Sequence, residues 1–183
     1  MNRETFNLKY AKPMLEFKNF MYHPVSLAMS ANRLISVARC CLHGTPNTTY
    51  DFDCGLGWVA SYAYEDYKSK VPDRSTYQSY TWFVQNEFIP AIANMFDLKG
   101  AEYTEASKDD RLQNFKMVAD ESERLDALSV WYVYVMKHII SLVLFARQGV
   151  AKSEPIFNRC VDVAAYLILG KALSDEVNNR VLS

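Results

Sequence analysis

The sequence lacks a surplus of either charge, a cysteine spacing suited to a metal, and a glycine-rich phosphate loop. Its 20 Lys+Arg stand against 21 Asp+Glu, for a formal charge of −1. No bulk attraction to nucleic acid or anionic lipid follows from that balance, although it leaves room for a local patch. No GxGxxG or GxxxxGK[ST] occurs, which argues against a dinucleotide fingerprint and a P-loop. No GxSxG elbow is present. The histidines His23, His43 and His138 show no HExxH-type spacing, so a zinc site is not expected. No basic recognition helix stands out, and nucleic acid is not an expected partner. Cys40, Cys41, Cys54 and Cys160 form no CxxC and no Cys/His ligand set. Reduced core thiols in a reducing, cytoplasmic compartment are the expected state. The N-terminal MNRETFNLKY has no apolar run, so no secretory signal is expected.

What is present suits a folded domain. The chain has 183 residues, of which 50% are hydrophobic and 22% charged. That length buries about two-thirds of the unfolded surface without a disulfide or metal. The composition excludes a disordered tail, a low-complexity linker and a collagen-like rod. The most membrane-like stretch, VWYVYVMKHIISLVLFA from Val130 to Ala146, is slightly short for a span. Lys137 and His138 lie at its centre, where each charge would cost about 2.5–3.5 kcal/mol in a bilayer. A buried helix of a soluble protein, with no membrane partner, is the expectation.

The apolar period is helical almost throughout. Asn2 to Met21 contains Pro13 and reads as a broken helix or arm, whose Phe6, Leu8, Tyr10, Met14, Leu15, Phe17 and Phe20 must pack on the body or on a neighbouring subunit. A helix follows Pro24 and ends at Gly44. Gly44 to Gly57 reads as the longest irregular stretch, and Trp58 to Lys68 as a short aromatic helix. Ser75 or Thr76 is the expected cap of a helix over 77–98, kinked at Pro90 and broken by Gly100. Further helices are expected over 109–118, 124–148 and from Ser153 to about Val177, with Gly149 closing the second of them. The expected architecture is an all-α helical bundle: an N-terminal helical elaboration over 1–76, a helical module over 77–183, and an antiparallel hairpin at the C-terminus.

That hairpin concentrates the chemistry. Only a few residues join its helices, so they should pack antiparallel. His138 lies 11 residues before Gly149 and Asp162 nine after Ser153, which puts them at one height at about 1.5 Å per residue. Tyr134, Lys137, His138 and Ser141 share one side of the first helix; Glu154, Asn158, Arg159, Asp162 and Tyr166 share one side of the second. Buried polar groups must find partners. Two outcomes satisfy this: a salt-bridged polar layer, or a pocket in which these groups converge on a small ligand. A second polar cluster, Lys99, Glu102, Tyr103, Glu105, Asp109, Asp110, Arg111, Asn114 and Lys116, precedes it. The i, i+3 spacing of Glu102 and Glu105 suits a divalent cation or a solvated surface. The cations Lys99, Arg111, Lys116, Lys137 and Arg159 suit phosphate oxygens or ordinary ion pairs.

KGAEYTEASKDDRLQNFK, VWYVYVMKHIISL and SEPIFNRCVDVAAYLILGKAL together resemble a group of small phage and prophage proteins. That group shares a KGxEY, DRLxNFK, KHxxS, SEPIxxRxxD pattern and is similar to the nucleotide-modification-associated and MazG-like all-α nucleoside triphosphate pyrophosphohydrolases. The resemblance covers a little under half the chain. It implies a bacterial-host cytoplasmic, homo-oligomeric four-helix module in which carboxylates of an ExxE and an ExxD hold Mg²⁺ against a nucleotide's phosphates. Asp162 matches the last position of ExxD, but Arg159 stands where the Glu would be. Lys137, His138 and Ser141 replace the ExxE. Cations in place of carboxylates keep phosphate binding and remove the usual metal ligands, unless Glu102, Glu105 and Glu154 come beside Asp162. The expected ligand site is then Lys137, His138, Ser141, Arg159 and Tyr166, facing Lys99, Asn114 and Lys116, with Glu102, Glu154 and Asp162 for Mg²⁺ and no catalytic residue assigned. The alternative is a non-enzymatic host-takeover or anti-defence protein whose aromatic N-terminal region binds a bacterial host protein.

Overall fold

The computed structural model describes residues 1–24, 27–43, 48–104, 110–149 and 155–181, with the side chains of 27–31, 48–51, 53, 99–104 and 179–181 outside that description. Its class is all-α; among the described residues β-structure is limited to one isolated bridge between Asn2 and Asp110. The elements in chain order are α1 (Arg3–Phe6), α2 (Lys12–Met14), α3 (Leu27–His43), α4 (Thr48–Lys70), α5 (Tyr80–Phe83), α6 (Ile89–Thr104), α7 (Gln113–Ser122), α8 (Ala127–Gln148) and α9 (Ile156–Val181).

Two π-turns, Asn7–Ala11 and Val84–Phe88, join α1 to α2 and α5 to α6. Each is followed two residues later by a proline, Pro13 and Pro90. Proline cannot donate to the carbonyl four residues back, and its ring clashes with that carbonyl. A π-turn widens the helix just before that point. The last wide bonds run from Lys12 N–H to Asn7 O and from Ile89 N–H to Val84 O. The second helix continues through its proline to Thr104, whereas the first ends at Met14, one residue after Pro13.

Three local expectations are corrected. The 44–57 stretch is not a loop throughout, because α4 begins at Thr48 and runs through Gly55 and Gly57. These glycines mark close contacts: a Cβ on Gly55 would lie 2.9 Å from Leu167 Cδ1, and one on Gly57 2.7 Å from the Met21 carbonyl. Gly100 does not break α6, which reaches Thr104. Ser79, rather than Ser75 or Thr76, caps α5 by accepting the Trp82 N–H. Asp126 caps α8 by accepting the Ser129 N–H, and Gly149 (φ 69°) closes it in the left-handed conformation. The expected cap Ser153 and its neighbour Glu154 lie outside the described residues.

The long helices α3, α4, α8 and α9 pack on one another, and the buried core runs continuously from Phe6 to Leu173, across the boundary expected at residue 76. The N-terminal segment lies on the body of its own chain. Phe6 packs edge-on to Phe96 at 5.3 Å, Phe20 edge-on to Phe88 at 6.2 Å, and the Tyr10 hydroxyl donates to Asp175 at 3.1 Å. All four cysteines are free, Cys41 and Cys160 within the core. α8 is long and apolar enough to cross a membrane, with 28% of its most apolar window buried. It buries Trp131, Val135, Ile139 and Leu142 and leaves Val133, Ile140 and Leu144 exposed.

Trp131 sets the α8–α9 register. It is fully buried, and its indole N–H donates to the Tyr166 carbonyl at 2.6 Å. The ring fits because residue 170 is glycine: a Cβ there would lie 2.3 Å from Trp131 Cζ2. Gly170→Ala should therefore destabilise the protein by about 1–3 kcal/mol through overpacking, outweighing the roughly 0.5–1 kcal/mol that alanine contributes in a helix interior. Urea denaturation measures this; a variant as stable as the parent would show that the indole does not occupy the notch.

Candidate functional site

Two helical turns beyond Trp131, α8 presents His138 to α9. Its Nδ1 lies 3.3 Å from Asp162 Oδ2, and the two side chains are only 14% and 10% exposed. The imidazole stacks on Tyr166, with centroids 5.3 Å apart and planes at 30°. Tyr166 continues into an aromatic cluster with Tyr134 at 6.4 Å and Phe115 at 6.3 Å. The antiparallel pairing of α8 with α9 makes this juxtaposition, since Trp131 meets residues 166–170 and His138 meets 162–166. Nδ1 is turned to the Asp162 carboxylate, and Nε2 lies on the other edge of the ring. Arg159, partly buried, is one turn before Asp162 on α9, and Lys137 is exposed beside His138 on α8. The Ser141 hydroxyl donates back to its own helix, to the Lys137 carbonyl at 3.0 Å.

Lys116 lies in a different cluster. Its ammonium contacts Asp110 Oδ2 at 2.6 Å and Glu176 Oε1 at 2.7 Å. The Met1 α-amino group completes the group, 2.7 Å from Asp110 Oδ1 and 3.6 Å from Glu176 Oε2. Burial works against the Asp110 charge, but hydrogen bonds from Lys116, the α-amino group and the Leu112 N–H outweigh it and hold its carboxyl below the usual range. Burial likewise opposes the Lys116 charge, and its bonds to Asp110 and Glu176 reverse the balance and raise it. The neighbouring Arg111 donates to the Phe96 carbonyl at 2.9 Å. Asn114 is partly buried on α7 between these residues.

Of the residues expected to hold Mg²⁺, only Asp162 has a described side chain, and it faces His138. The side chains of Lys99 and Glu102, and residues Glu105 and Glu154, lie outside the described residues. Among the described residues no three His, Cys, Asp or Glu side chains converge as a metal set.

No protein-family model, no curated protein and no solved structure matches the chain.

Sequence reasoning missed Phe115, Glu176 and Met1 as partners of the expected residues. Phe115 stands beside Asn114 in DRLQNFK, and its apolar position was the available signal. Glu176 and Met1 gave none, because only the fold brings the two ends of the chain together. The Asp110–Lys116 cluster contributes to the pH response. The Asp110 pKa is lower when folded, so its contribution is complete above the ordinary carboxylate value of about 3.9 and is lost as pH falls through the folded value. Lys116 is the mirror case: its contribution is complete below about 10.4 and is lost as pH rises through its raised folded value. Asp110→Asn should cost about 1–3 kcal/mol at neutral pH and flatten the acid limb of a stability–pH curve measured by denaturant titration. An unchanged curve would show that the cluster contributes nothing.

Proposed function

We propose that this chain binds a nucleotide or nucleotide-like phosphate ligand at the α8–α9 seam. The observation that carries the reading is the His138–Asp162 contact stacked on Tyr166, with Arg159 three residues before Asp162 on α9. An anionic ligand would meet a guanidinium, an ammonium from Lys137 and an imidazole held in one orientation. Planar guanidinium groups bind phosphate oxygens in pairs, and an imidazole N–H adds a further donor. Tyr134 and Tyr166 supply flat aromatic faces of the kind on which a base stacks. The reading agrees with the phage-protein resemblance of the C-terminal half, and with the replacement of that family's metal-binding carboxylates by Lys137, His138 and Arg159. Mg²⁺ would arrive with the phosphates, with Asp162 its nearest described carboxylate and Glu102 and Glu154 its further candidates. No hydrolytic step is assigned. The apolar exposure of Val133, Ile140 and Leu144 on α8 supports a homo-oligomer.

The test is thermal stabilisation across canonical and modified nucleoside mono-, di- and triphosphates, with and without Mg²⁺. A ligand present at about one hundred times its Kd stabilises by about 2.7 kcal/mol, which is a shift of several degrees. Arg159→Ala should weaken binding by about tenfold or more. If no nucleotide in the panel moves the melting temperature, the reading is wrong.

A further inference from the structure

We infer a second site, independent of the α8–α9 seam, that binds a small organic ammonium ion in an aromatic groove between α4, α5 and α9. The groove has a volume of about 430 Å³ and is lined by Tyr67, Trp82, Phe83 and Phe157, with Asp66 and Glu87 supplying carboxylates. Its rings meet at a corner: Tyr67 and Phe83 lie nearly parallel at 5.3 Å and 30°, while Phe157 stands almost perpendicular to Phe83 at 6.1 Å and 82°. Trp82 is 39% exposed at the rim, a large apolar ring left open to solvent.

Aromatic faces carry negative potential and attract cations, most strongly where water is excluded. The polar groups of the groove point the same way. The Asp66 side chain lines the groove and is only 3% exposed. Glu87 lies in the π-turn Val84–Phe88, the widened segment before Pro90, and π-turns often occur at functional sites. Among the described lining residues, one cation stands against these two carboxylates: Lys70, whose ammonium lies 2.6 Å from Asp66 Oδ2. Lys70 is 59% exposed and one turn along the same helix, so its ammonium is the solvent-facing half of the pair. Its ammonium already occupies the place that a ligand ammonium would take. Displacing it lets the ligand pair with Asp66 while its alkyl or methyl groups contact Tyr67, Phe83 and Phe157.

Choline serves as the probe, and its uncharged isostere 3,3-dimethyl-1-butanol as the control, in isothermal titration calorimetry of the full chain at fixed ionic strength. Choline should bind saturably, and the isostere about tenfold or more weakly. Lys70→Ala should tighten choline binding by releasing Asp66, whereas Asp66→Asn should weaken it by about tenfold or more. This pair of opposite effects separates a cation site from a merely apolar groove. If Asp66→Asn does not fold, the exposed Glu87→Gln and Trp82→Ala should each weaken choline binding instead. Equal affinity for choline and its isostere, absence of saturable choline binding, or variants that leave the affinity unchanged would overturn the inference.

Discussion

A single notch on α9 fixes how the C-terminal helices meet. Trp131 is the largest fully buried side chain, and it lies where Gly170 leaves room for it, with its N–H bonded to the Tyr166 carbonyl. A bulky ring in a fitted notch permits neither a slide of one turn nor a rotation of the helix, because either would leave a cavity and a buried indole N–H without a partner. With that register set, His138 can face only 162–166. Tyr134 and His138 of α8 thereby meet Asp162 and Tyr166 of α9, and the proposed phosphate site follows from a packing contact rather than from any motif of its own.

The polar residues of the protein are sorted by the same logic. Asp162 and His138 meet across a helix pair. Lys116 joins Asp110 and Glu176 with the α-amino group, where the N-terminal segment, α7 and the C-terminal part of α9 come together. Asp66 is satisfied within α4 by Lys70. In each case a charge lies at the edge of an apolar layer, where desolvation is costly enough to demand a partner. Only the first of the three places an imidazole stacked on a tyrosine, and only the third faces an open aromatic groove. Those differences in surroundings, more than the residue types, separate a candidate anion site, a structural lock and a candidate ammonium site.

The prolines illustrate a further economy in the fold. Pro13 and Pro90 lie inside helical segments and are accommodated by π-turns that precede them. The second of these turns carries Glu87 to the edge of the aromatic groove. A local answer to a missing hydrogen bond thus shapes a surface some distance from the proposed nucleotide site.

By itself, the sequence determined the all-α class, the closure of α8 at Gly149 and the equal height of His138 and Asp162. All three depend on local periodicity and a short connection, which act within a few turns of chain. Tertiary structure alone decided the rest. Gly55, Gly57 and Gly100 read as breaks because glycine weakens an isolated helix; packing against Leu167 and the Met21 carbonyl makes the small residue necessary at the first two, and α6 simply continues through the third. Glu176 and the α-amino group that join the Lys116 cluster, and the Trp82, Phe83 and Phe157 rings near Asp66, lie far along the chain or across helices. No spacing rule reaches that distance, because such contacts depend on how buried surfaces from separate segments fit together.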